Sequence, residues 1–149
     1  MKTLVIGYGN TMRGDDGAGV AIAEAIEKER LDDVEVRTCQ QLHVELISEF
    51  SNYDRIILAD ASVEGEAVEL KKICPASQNA MASSHHLGPE LLLGLAEITN
   101  LGNPELYLCM VRGKSFDYCE KLSNEAKKRV FEAVDKIKNL IVQERILNA

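Results

Sequence analysis

The sequence predicts an α/β fold: a single-domain, three-layer α/β/α sandwich around a mixed, mostly parallel sheet of about five strands. Three features point there. Apolar or alternating runs of strand length recur along the chain. Segments with helical periodicity separate most of them. One pair of runs is spaced too closely for a helix to fit between.

Residues 2–7 form a short apolar run closed by glycine, as a buried first strand would be. Residues 17–30 set Val20, Ile22, Ala25 and Ile26 on one helical stripe and leave Glu24, Glu27 and Lys28 to water. Residues 34–38 alternate and read as a second strand, and residues 44–50 as a short helix. Residues 55–60 are a buried strand ended by Asp60, and residues 67–73 alternate again. A parallel crossover needs about a dozen residues, more than separate these two runs, so at least one strand must run antiparallel. Residues 89–98 are a Leu-rich helix and residues 105–111 a further strand. Residues 124–146 close the chain as a helix with Val130, Val134, Ile137 and Ile141 on its apolar face.

A chain of 149 residues without repeats or low-complexity tracts is expected to form one domain over 1–149. At that size it can bury roughly 70% of its unfolded surface without staples. The formal net charge is −7, with 24 acids against 17 Lys and Arg, which argues against nucleic-acid or anionic-membrane partners. No apolar run approaches the roughly 20 residues of a membrane span, and residues 1–7 lack the pattern of a signal peptide. A cytoplasmic protein is expected. Cys39, Cys74, Cys109 and Cys119 contain no close pair of the kind structural zinc sites use. Reduced thiols are therefore expected.

Ligands of open α/β sheets bind beyond the carboxyl ends of the parallel strands. The first strand delivers Gly7-Tyr8-Gly9-Asn10-Thr11-Met12-Arg13-Gly14-Asp15-Asp16-Gly17 to that rim, and the third ends on Asp60. The loop Ser83-Ser84-His85-His86 can bring an imidazole there. Carboxylates with a histidine make a mixed oxygen and nitrogen site for a divalent ion such as zinc, nickel or manganese. Each residue also has a plainer role: Asp15 or Asp16 as a helix cap, Asp60 as a turn starter, the histidines as an exposed loop.

Two phosphate motifs fail. Gly7-Tyr8-Gly9 resembles a dinucleotide fingerprint, but Met12 stands at its third glycine position and two acids follow. Gly113-Lys114-Ser115 resembles the end of a P-loop, with Leu108 where the upstream glycine belongs. No Gly-x-Ser-x-Gly elbow is present.

The pattern Gly7-x-Gly9-Asn10-x4-Asp15-Asp16-Gly17-x-Gly19 resembles the signature of the nickel-iron hydrogenase maturation endopeptidases. Ile57-Leu58-Ala59-Asp60-Ala61 and Ser84-His85-His86-Leu87 follow in the family's order, so the resemblance covers nearly the whole chain. It implies a three-layer fold with a mixed sheet. It also implies removal of a C-terminal tail from the nickel-loaded precursor of a hydrogenase large subunit, which would be the partner. Carried over by position, Asp16, Asp60 and His85 are both the metal ligands and the catalytic set, with His86 as the alternative histidine and Asp15 as the helix cap. No organic cofactor is implied. The divalent metal site would be completed by the substrate's own nickel, with zinc or nickel as the ions it would take in vitro. Gln41-Leu42-His43-Val44-Glu45-Leu46 resembles a segment of the branch that processes soluble, cofactor-reducing hydrogenases. Thr38-Cys39-Gln40 stands where many members carry an Asp-Gly pair. A non-catalytic metal-binding or chaperone-like module would use the same ligands, and a small nucleotide-binding domain would need the phosphate motifs that fail.

Overall fold

The computed structural model describes residues 1–75 and 88–147. Its strands are β1 (Thr3–Tyr8), β2 (Val34–Cys39), β3 (Arg55–Ser62), β4 (Val68–Ile73) and β5 (Glu105–Arg112). They form one sheet in the order β2-β1-β3-β5-β4. β1 runs parallel to β2 and β3, and β3 runs parallel to β5. Among the described residues three α-helices, α1 (Ala18–Lys28), α2 (Pro89–Ile98) and α3 (Asn124–Leu147), pack with a 3-10 helix at Val44–Asn52.

Strand alternation sorts the core into two layers. Val5, Ile57, Cys109 and Val111 face α1 and α3, meeting Ile22, Ile26, Val134 and Ile137. Leu4, Ile6, Ile56, Leu58 and Leu106 face the other way, onto Phe50 of the 3-10 helix and Leu92 of α2. The three-layer mixed sheet expected from the sequence is the one observed.

The expected antiparallel strand is β4, although it pairs with β5 and not with β3. Residue chemistry explains the choice. β5 buries Leu106 and Leu108 on one face and Cys109 and Val111 on the other, so it belongs in the interior of the sheet. β4 carries Lys71 and Lys72 exposed, which suits an edge and blunts it against pairing with another chain. The helix expected at residues 17–30 begins as a single 3-10 turn, Gly14–Gly17, before becoming α1.

Glycines allow α1 to lie almost on the sheet. A Cβ on Gly19 would overlap the Ala59 carbonyl oxygen and stand 2.6 Å from that of Tyr8. A Cβ on Gly7 would overlap the Gly19 carbonyl oxygen and stand 2.6 Å from the Ala23 Cβ. The start of α1 is thereby drawn down between the carboxyl ends of β1 and β3.

Candidate functional site

The parallel register sets Gly7 opposite Ala59, so Tyr8 and Asp60 reach the same rim side by side. The turn before α1 adds Asp16. Asp16 and Asp60 line one cleft of about 580 Å³, together with Tyr8, Gly9, Gln40, Gln41 and the start of α2 at Gly88. The convergence expected of these two acids is realised.

Each carboxylate is held by the backbone. The Asn10 N–H donates to Asp16 Oδ2 at 2.7 Å, and the Met12 N–H donates to Asn10 Oδ1 at 2.9 Å. This folds residues 9–16 into a tight loop. Gly9 sits within it at φ 141°, where a Cβ would overlap the Asp16 carbonyl oxygen. At Asp60, the Ala61 N–H donates to Oδ1 at 2.7 Å. Burial pushes the Asp60 carboxyl up to about 6; the Ala61 N–H and the Tyr8 hydroxyl pull the other way, and the Asp16 charge adds to the rise. The Tyr8 hydroxyl is itself pushed up, by burial first and then by the facing Asp60 charge.

Asp15 has a different job from its neighbour and is no helix cap. Neither the 3-10 turn nor α1 has a side-chain cap bond. Its fully buried carboxylate accepts from the Lys114 N–H (2.7 Å), the Ser115 N–H (3.1 Å), the Ser123 N–H (2.7 Å) and the Ser123 hydroxyl (2.8 Å). The Ser123 hydroxyl in turn accepts from the Ala126 N–H at the start of α3. The P-loop-like Gly113-Lys114-Ser115 thus does bind an anion through backbone N–H groups, and the anion is Asp15. Burial alone would raise the Asp15 carboxyl, but the donors from Ser123, Lys114 and Ser115 outweigh it and hold it below the ordinary range.

A stability test follows from the sign of that shift. A depressed carboxyl stabilises the fold above its unfolded value near 4 and loses that contribution as pH falls through the folded value. Asp15→Asn should therefore lower Tm most at pH 7, by an amount equivalent to about 2–3 kcal/mol, and progressively less towards pH 3. Thermal melts across that range check it; a deficit that stays constant with pH would contradict the assignment.

His85 and His86 lie outside the described residues. Among the described residues no group of three His, Cys, Asp or Glu side chains gathers. Asp16 and Asp60 are therefore a pair of hard oxygen donors in an open cleft, a donor set that fits a divalent cation needing further ligands. The four cysteines are all free, Cys109 buried and Cys39 half-buried, and none lines this cleft. Tyr8 was not singled out from the sequence as a site residue. Its position between two glycines at the carboxyl end of the first strand is the signal that could have found it.

No protein-family model matches the chain. A segment of 65 residues is 38% identical to the hydrogenase 2 maturation protease of Escherichia coli K12, covering 42% of this chain. The match spans 40% of that relative's own length. Among solved structures, the hydrogenase-maturating endopeptidase HybD of E. coli superposes with a TM-score of 0.76 at 23% identity, over 97% of this chain and 94% of that one. An endopeptidase from E. coli superposes with a TM-score of 0.71 at 26% identity, over 92% and 90% of the two chains. The hydrogenase maturation protease HycI of Thermococcus kodakarensis gives 0.70 at 24% identity, over 91% and 89%. The chain is thus similar to hydrogenase maturation endopeptidases, in sequence over one segment and in fold over nearly its whole length.

Proposed function

We propose that this chain is a hydrogenase maturation endopeptidase that removes the C-terminal extension from the nickel-loaded precursor of a nickel-iron hydrogenase large subunit. The observation that carries the reading is the meeting of Asp16 and Asp60 in one cleft at the carboxyl rim of a sheet with this fold. No helix among the described residues is long and apolar enough to cross a membrane.

Burial, with the Asp16 charge adding to it, makes the Asp60 carboxyl resist ionisation, a cost that a divalent cation relieves. Nickel arrives in the substrate as cargo, and when bound it supplies Lewis-acid polarisation of the scissile carbonyl or of water. Asp16 and Asp60 receive the cargo and so dock the adjoining peptide in the cleft; His85 would complete the set as a neutral donor. The Asn10 and Ala61 N–H groups hold each acid in place before substrate arrives. Precursor lacking nickel forfeits these contacts, which makes cleavage conditional on metal insertion.

The test mixes the protein with nickel-loaded and nickel-free precursor and reads the precursor's mass. Shortening of the loaded form alone is expected. Equal shortening of both would overturn nickel gating. Stable binding without shortening would favour the chaperone-like module.

A further inference from the structure

We propose that Ser123 is a positioning residue that sets where Asp16 stands against Asp60 in the cleft. The inference rests on the function proposed above and extends it to a residue outside the cleft's lining.

The two acids are carried by different parts of the fold. Asp60 stands on β3, within the sheet, whereas Asp16 stands on the 3-10 turn Gly14–Gly17 before α1. The segment that follows β5 links the two. β5 lies beside β3, with Met110 opposite Asp60 and Arg112 opposite Ser62. Past Arg112 the chain stays fastened to β3, because the Gly113 N–H donates to the Ser62 carbonyl oxygen at 2.8 Å. The next two N–H groups, of Lys114 and Ser115, donate to the Asp15 carboxylate. A run of covalent and hydrogen bonds thus leads from Asp60 along β3, across to residues 113–115, and onto the residue beside Asp16.

The turn is fastened along its length as well. The Asp15 N–H donates to the Ser115 carbonyl oxygen (2.8 Å), the Gly14 N–H to that of Cys119 (2.7 Å), and the Cys119 N–H to that of Met12 (2.9 Å). The approach is close on both sides. A Cβ on Gly14 would stand 2.7 Å from the Ser115 carbonyl oxygen, and one on Gly113 would stand 2.7 Å from the Asp15 Cβ. Asp15 is fully buried beneath this cover, although Lys114 and Ser115 are themselves exposed. Ser123 completes the tie. Of the donors to Asp15 described above, it alone uses a side chain, so its hydroxyl can be deleted without altering the backbone. That hydroxyl also accepts from the Ala126 N–H at 3.1 Å, which makes the 24-residue α3 the far anchor of the turn. The Asn10 N–H meets Asp16 Oδ2 only while residues 10–16 keep this shape. Misplacing a reacting group by about 1 Å can cost about 100-fold in rate, so slack in the tie reaches the chemistry.

Ser123→Ala deletes the hydroxyl and Ser123→Thr retains it. Val134→Ala, in the buried face of α3, is the control that lowers stability elsewhere. Each protein is read by Tm, by amide hydrogen exchange at Asn10, and by kcat/KM on nickel-loaded precursor well below every Tm. In Ser123→Ala the Asn10 amide is expected to exchange roughly 10–100-fold faster, and kcat/KM to fall roughly 10-fold. Threonine should restore both, and Val134→Ala should lower Tm with neither change. Unaltered Asn10 exchange in Ser123→Ala would overturn the proposal, as would full cleavage despite faster exchange. So would failure of threonine to restore either quantity, or equal defects in Val134→Ala at the same Tm. An unaltered protein that cuts no precursor would defeat the endopeptidase reading, while exchange at Asn10 would still decide whether Ser123 holds the turn of Asp16.

Discussion

Asp60→Asn is expected to abolish cleavage and, at the same time, to stabilise the fold. Under the proposed function, losing one of the two carboxylates assigned to the cation removes several kcal/mol of transition-state stabilisation, about 10³-fold in rate. The stability effect has the opposite sign. A carboxyl whose folded value is raised to about 6 destabilises the fold when ionised. That cost is full above pH 6, shrinks as pH falls, and is absent below the unfolded value near 4. A neutral amide of the same shape escapes it. At neutral pH the gain should be about 1–3 kcal/mol, or several degrees in Tm, vanishing towards pH 3. Melting curves at pH 8 and pH 3.5, beside a cleavage assay, check both halves. Retained cleavage would remove Asp60 from the mechanism, and a lowered Tm at pH 8 would show that its burial imposes no strain.

Gly19→Ala is expected to be among the most damaging single-methyl changes at the described glycines. The added carbon meets carbonyl oxygens of two strands, those of Ala59 and Tyr8. Neither is the end of a flexible side chain that could swing aside. α1 must lift off the sheet, opening the layer of Val5, Ile22 and Ile57 beneath it. Overpacking of a well-packed core costs about 1–3 kcal/mol, and rigid backbone on both sides sets this case at or above the upper figure, roughly 10 °C in Tm. Asp16, on the turn just before α1, would move with the helix, so cleavage should be lost even in the fraction that folds. Gly88→Ala is the control: its Cβ would find only the Glu90 side chain, 3.6 Å away, and Tm should not change. Equal effects at the two glycines would refute the close-approach explanation.

These cases show which parts of the molecule the residues announce. The two-sided burial of β3 and β5 and the stripes of α1 and α3 are local periodicities, so the elements were readable with ends off by a residue or two. The convergence of Asp16 and Asp60 was readable too, because a strand–helix–strand passage makes neighbouring strands parallel and puts their carboxyl ends on one side. Sheet order was harder. Nothing near residues 62–68 says that β5, arriving some 40 residues later, will insert beside β3 and push β4 to the edge. That outcome depends on comparing how apolar the two strands are. Asp15 was misjudged for a related reason. An acid before a helix has a local explanation, whereas its true partners at Lys114, Ser115 and Ser123 are remote in sequence. Tyr8 looked like the variable residue of a glycine motif until its strand neighbour was known.

The Asp15 anchor also bears on the order in which the fold can be made. Both acids of the cleft have been synthesised by position 60, yet the donors that secure the residue beside Asp16 lie as far as 108 positions downstream. Contacts of such wide separation form late in folding, because a long loop must close before they repay its entropy. A chain still emerging from the ribosome therefore carries Asp16 on an unbraced turn. The braced cleft comes into being only when the segment around Ser123 arrives.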